Sequence, residues 1–106
     1  MKRITREYLK NLMDKRAKFL LIDARTHEAY DKEHLPGAVT IPIEHLHADL
    51  LRGLRKSDIL VTYCSSFDCE ASTLAAKKLE KFGFKKVLDF KGGLKDWKAG
   101  GYPTEK

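Results

Sequence analysis

Two cysteines, Cys64 and Cys69, stand close together in the stretch Tyr63-Cys64-Ser65-Ser66-Phe67-Asp68-Cys69-Glu70. A thiolate at Cys64 would attack electrophilic sulfur, and a second thiol nearby would give the pair thiol–disulfide chemistry. The apolar run Ile59-Leu60-Val61-Thr62-Tyr63 predicts a buried strand ending just before Cys64. Ala71, Leu74, Ala75, Leu79 and Phe82 recur at helical spacing behind the loop. Cys64 therefore sits where a strand ends and a loop feeds a helix, the place where reacting groups collect in open α/β sheets. Backbone N–H groups of such a loop turn toward one point and favour an anionic sulfur there. That reading of Cys64 as nucleophile requires its sulfur to be reachable from solvent. Its plain alternative is a small apolar residue buried at a strand end.

The neighbours of Cys64 cut both ways. Ser65 and Ser66 offer hydroxyl donors to a bound anion or sulfane sulfur, or serve as turn residues and helix caps. Asp68 and Glu70 oppose a thiolate if they point inward, although Glu70 also suits the start of a helix. Phe67 is either a cover over the pocket or a core contact. Cys69 is either a resolving thiol or a small apolar residue entering the helix. A curled loop would bring the two cysteine Cα atoms within the ~7 Å that a disulfide needs.

The elements that must hold this loop alternate between strand and helix. Ile4, Tyr8, Leu9, Leu12 and Met13 predict a first helix, with Thr5 as its N-cap. Phe19-Leu20-Leu21-Ile22 reads as a strand ending at Asp23, and residues 26–32 as a short helix. Pro36-Gly37 is a turn, followed by a strand over 38–41. Pro42 starts a helix with Ile43, Leu46, Leu50 and Leu51 on one side. A strand over 58–63, a helix from about 70 to 82 with Gly83 as its C-cap, a strand over 87–90 and a last short helix through Trp97 complete the chain. Such alternation predicts an α/β fold, a mainly parallel sheet flanked by helices on both faces, in one domain over residues 1–106. Asp23, Cys64 and Lys91 would then share the C-terminal edge of the sheet.

Composition narrows the function classes. The net charge is +6, rich in lysine and glutamate, and reads as a well-solvated surface. The basic residues near the C-terminus (Lys85, Lys86, Lys91, Lys95, Lys98) lack the interleaved aromatics of a single-strand nucleic-acid platform, so nucleic acid is not the expected partner. No stretch is long enough to span a bilayer, so no membrane is expected, and the charged start lacks a signal-peptide core. A cytoplasmic protein is the expectation, with thiols rather than a disulfide framework. His27, His34, His45 and His47 form no metal pattern with the cysteines, and neither a metal nor an organic cofactor is expected. Asp23 and Arg25 read as a buried structural pair, since buried charges need partners.

Several separated segments resemble the rhodanese-like sulfurtransferase family. They are Leu21-Ile22-Asp23-Ala24-Arg25, the run Tyr30 … His34-Leu35-Pro36-Gly37-Ala38-Val39-Thr40-Ile41-Pro42, Tyr63-Cys64, Ala75-Ala76 … Leu79 … Gly83-Phe84, Gly92-Gly93-Leu94 … Trp97, and Gly101-Tyr102-Pro103. The resemblance spans nearly the whole chain in the right order. It implies that Cys64 takes a sulfane sulfur from a donor and carries it as a persulfide, with the backbone of residues 65–69 cradling the outer sulfur. The implied donor is a small sulfur compound or a protein persulfide, and the acceptor a thiol or a cyanide-like nucleophile. The chain departs from the family's C-x-x-G-x-R loop, with Phe67 at the glycine and Cys69 at the arginine. Loss of that arginine removes a bidentate anion clamp, so thiosulfate, a dianion, is expected to be a poor donor. Two other readings stand beside this one: a redox protein cycling a Cys64–Cys69 disulfide, and a binding module with idle chemistry. A phosphatase of similar fold is disfavoured because Glu70 stands where its phosphate loop needs an arginine.

Overall fold

The computed structural model describes residues 1–106. Five parallel strands form one sheet in the order β1-β5-β4-β2-β3. They are β1 (Lys2–Arg3), β2 (Leu20–Asp23), β3 (Val39–Thr40), β4 (Ile59–Tyr63) and β5 (Lys86–Phe90). The helices are α1 (Arg6–Asp14), α2 (His27–Lys32), α3 (Ala71–Lys81) and α4 (Gly93–Ala99). Thr5 caps α1 by accepting from the Tyr8 N–H, and Thr26 caps α2 by accepting from the Ala29 N–H, each satisfying a donor that the helix cannot.

The pleat of the sheet divides the core in two. Leu21, Val61, Tyr63 and Phe90 pack with Leu9 and Leu12 of α1 and Trp97 of α4. Ile22, Leu60 and Val87 face the other way, onto Ala75, Ala76 and Leu79 of α3. Both faces are covered, as alternating helices on a parallel sheet require. No helix is long and apolar enough to cross a membrane.

Three elements differ from the sequence pattern. The segment after Pro42 is two 3-10 turns, Ile43–His45 and Ala48–Leu51, not one helix. Leu46 and His47 between them are extended, which lets Leu46 and Leu51 both reach the core while Leu50 stays exposed. One helix face could not sort Leu50 from Leu51 and Leu46 in that way. The strand expected over 38–41 contracts to Val39–Thr40. Strand β1 has no apolar signal at all; two exposed basic residues pair with Leu88 and Asp89 at the sheet edge, where charged side chains are tolerated and discourage further pairing.

Trp97 is fully buried, meets the edges of Phe90 and Tyr102, and donates from Nε1 to the Pro103 carbonyl at 2.7 Å. Trp97→Ala should cost about 3–5 kcal/mol of stability, read as a lower denaturant midpoint by far-UV circular dichroism.

Candidate functional site

The connection from β2 leads to β3 on one side, whereas that from β4 leads to β5 on the other. Adjacent strands whose connections diverge leave a crevice beyond their C-terminal ends. Asp23 and Tyr63 are paired residues at those ends, and Cys64 follows directly. The cysteine loop thus leaves the sheet at its switch point.

Within the loop, Cys64 and Cys69 are joined as a disulfide with Cα atoms 6.4 Å apart. Cys64 is fully buried, with its Sγ 3.5 Å from the Cys69 carbonyl oxygen, while Cys69 is half-buried. The expectation of an accessible Cys64 does not hold in this state. The curled loop brings Cys69 into bonding contact with the buried Cys64 sulfur. The N–H of Cys69 donates to the Ser66 carbonyl at 3.0 Å, whereas those of Ser65, Ser66, Phe67 and Asp68 meet no protein acceptor. Ser65, Asp68 and Glu70 are exposed and Ser66 is half-buried; neither serine hydroxyl caps α3. Phe67 is 63 % exposed, so it is no core contact. With Ser66, Asp68, Lys95 and Asp96 it lines a cleft of about 270 Å³ between the loop and α4. Lys91, at the end of β5, turns inward and donates to the Cys69 carbonyl at 2.5 Å. It is not one of the well-solvated lysines that the chain's composition suggests.

The root of the loop is clamped by α4. The N–H groups of Leu94 and Lys95 donate to the Cys64 and Ser65 carbonyls at 3.0 and 2.9 Å, so first-turn donors that lack helical partners anchor the loop. Gly93 permits this approach. Its φ is +66°, and a Cβ there would lie 2.4 Å from the Cys64 carbonyl oxygen. The Gly92-Gly93 pair was visible in the sequence, but the need for close backbone contact was not.

Behind the loop, Asp23 is fully buried and doubly paired with Arg25, Nε to Oδ1 at 3.0 Å and Nη2 to Oδ2 at 2.7 Å. Arg25 also donates to the Glu33 carbonyl at 2.7 Å. The Tyr63 hydroxyl donates to Asp23 Oδ2 at 2.6 Å and accepts from the Leu35 N–H at 3.1 Å. Burial, then the Asp23 charge and this hydrogen bond, push the Tyr63 hydroxyl far above the ordinary phenol range, so it stays a donor. Burial opposes the Arg25 charge, yet the bonds and charge of Asp23 hold its guanidinium above its usual value. Asp23 and Arg25 therefore share the sheet edge with Cys64 and Lys91 but act as a structural pair. The Tyr63 hydroxyl went unread in the sequence, where Tyr63 looks like another apolar strand residue. His34 is held by the Tyr30 carbonyl at 2.8 Å and stacks on its ring; no group of three or more His, Cys, Asp or Glu is placed to hold a metal.

Two substitutions test this framework. Tyr63→Phe strands the buried Leu35 N–H and should cost roughly 1–3 kcal/mol, seen in denaturant melts. Gly93→Ala forces a side chain into the Cys64 carbonyl at a positive φ and should destabilise by more than about 1 kcal/mol, with amide exchange quickened at Leu94 and Lys95.

Comparison with known proteins agrees with this architecture. Residues 5–100 match the Rhodanese-like domain family. The chain is 33% identical over 94 residues to YrkF of Bacillus subtilis (strain 168), a candidate sulfur carrier protein; the match covers 89% of this chain and 49% of that one. It is 36% identical over 78 residues to the adenylyltransferase and sulfurtransferase uba4 of Ogataea parapolymorpha, covering 73% of this chain and 19% of that protein. The chain thus spans half or less of the length of these relatives. The rhodanese-like domain of Anabaena Alr3790 superposes with a TM-score of 0.87 at 32% identity, covering 99% of this chain and 79% of that one. With Cys64 on the loop after β4 of a parallel sheet, and this match over nearly its full length, the chain belongs to the rhodanese-like domain family.

Proposed function

We propose that this domain moves sulfane sulfur through a persulfide on Cys64, with Cys69 as the thiol that resolves it. The observation that carries the reading is the pairing of the two sulfurs on the loop where β4 leaves the sheet. Names among the relatives, sulfur carrier and sulfurtransferase, point the same way. In the reduced protein the Cys64 thiolate attacks the outer sulfur of a donor persulfide, and the donor thiolate leaves. An acceptor thiol, or a cyanide-like nucleophile, then takes that outer sulfur and frees Cys64. Without an acceptor, the Cys69 thiolate attacks Cys64 Sγ, closes the disulfide and expels hydrosulfide. The sulfane sulfur is reduced and the two thiols are oxidised, so electrons balance with no further oxidant. A dithiol reductant of a reducing compartment, the cytoplasm in this reading, reopens the pair. The free N–H groups of residues 65–68 are the donors available to the outer sulfur. The exposed carboxylates of Asp68 and Glu70, and the lack of an arginine in the loop, disfavour thiosulfate against a singly charged or protein-bound persulfide.

The disulfide also favours a second reading, a dithiol redox protein in which the same two sulfurs cycle without carrying a third. Intact-mass spectrometry of the reduced protein with a persulfide donor separates the two. Sulfur transfer predicts a gain of ~32 Da that is absent in Cys64→Ser and longer-lived in Cys69→Ser. A loss of two hydrogens that needs both cysteines, with no sulfur gained in Cys69→Ser, overturns sulfur transfer in favour of the redox reading. In steady-state assays with cyanide as acceptor, thiosulfate should give a kcat/KM at least roughly tenfold below that of a persulfide donor.

A further inference from the structure

The cysteine loop carries two carboxylates, Asp68 and Glu70, and no cation of its own. A thiolate or persulfide on Cys64 would add a third negative charge, which is costly unless a positive group lies near. The cation comes from another strand. Lys91 has only 12% of its side chain exposed, and it crosses from the end of β5 to the Cys69 carbonyl at 2.5 Å. The same carbonyl oxygen lies 3.5 Å from Cys64 Sγ. The ammonium and the sulfur are therefore no further apart than those two contacts laid end to end. Glu70 stands 4.0 Å from the ammonium on its outer side, with its own side chain 74% exposed. Lysine holds an ordinary surface position for little gain, since exposed pairs are weak and long side chains lose rotamer freedom. A lysine folded inward onto a backbone oxygen beside a reactive sulfur is better explained by the charge that sulfur acquires.

We propose that Lys91 is the charge partner of the Cys64 sulfur: a positioning residue that holds the Cys69 backbone over the site and stabilises the anionic sulfur once the disulfide opens. It supplies one positive charge from β5 where the loop itself has none. A single ammonium suits a singly charged thiolate or persulfide better than a dianion, so the residue also bears on donor choice. The proposal rests on Cys64 being the reactive sulfur of the reading above. The other charged groups around the loop are Asp68 and Glu70 on the loop, Lys95 and Asp96 on α4, and the Asp23–Arg25 pair behind β4, which is mutually neutralised.

Alkylation of Cys64 by the neutral reagent iodoacetamide, followed against pH in a Cys69→Ser background, tests this directly. The substitution keeps the backbone carbonyl that Lys91 binds and leaves one thiol to titrate. Lys91→Met should move the alkylation profile to higher pH and slow the rate at pH 7 roughly 3- to 10-fold. Lys91→Arg should recover most of that rate. Glu70→Gln, with Lys91 in place, should speed alkylation at pH 7, because it removes a rival for the ammonium. An unchanged profile in a folded Lys91→Met variant, or an arginine variant no better than methionine, overturns the proposal. If the methionine variant does not fold, the Glu70→Gln result decides: an unchanged or slower rate defeats it. The assay needs no sulfur donor. A normal Lys91 effect without any persulfide gain would defeat sulfur transfer alone, and a persulfide gain without a Lys91 effect would defeat this inference alone.

Discussion

A carboxylate sealed inside a protein has to be answered by charge and hydrogen bonds, and in this fold the answer to Asp23 organises everything near the site. Arg25 returns from the next turn to grip both carboxylate oxygens, and the Tyr63 hydroxyl donates to one of them from the neighbouring strand. Each partner carries a second tie, Arg25 to the Glu33 carbonyl and Tyr63 to the Leu35 N–H. The end of β2, the end of β4 and the segment after α2 are thereby locked together. Cys64 is the residue after Tyr63, so its backbone leaves the sheet from a fixed point. Replacing such a buried group strands its partners, which is more damaging than the loss of the bond itself.

From that point the loop is hydrogen-bonded at its root and carries unpaired amides at its tip. The root is held by the amides of α4, with Gly93 allowing backbone to touch backbone. The tip, Ser65 to Asp68, presents N–H groups that no protein atom accepts. Cys69 is bonded to Cys64, and the Cys69 carbonyl is itself held by Lys91. The arrangement sets a hydrogen-bonded base beneath Cys64 and links the far end of the loop to it through the second cysteine.

Much of this was legible in the residues, and the failures have physical causes. Strands β2, β4 and β5 announce themselves because strands buried on both faces become continuous apolar runs. The helices α1 and α3 show helical spacing that buries Leu9, Leu12, Ala75 and Leu79, although Tyr8 and Leu74 in the same patterns are exposed. The edge strand β1 gives no signal, since Lys2 and Arg3 are exposed and their pairing depends on a distant partner, β5. After Pro42 the apolar spacing imitates a helix, but Leu46 and Leu51 must enter the core from a chain crossing over β2, and the crossing breaks the helix. At the site, the two cysteines and the Asp23–Arg25 pair were readable from type and order. The burial of Cys64 and the inward turn of Lys91 were not, because both arise from how the loop curls in space.

The chain has a single tryptophan, and its position has a practical corollary. Trp97 rides on the short helix whose first amides hold the carbonyls of Cys64 and Ser65. Its indole is wedged between Phe90, from the strand that presents Lys91, and Tyr102. A shift at the root of the loop is thus one hydrogen bond and one helical turn away from a natural fluorophore. The fold thereby sets its one natural fluorophore directly against the anchor of the cysteine loop.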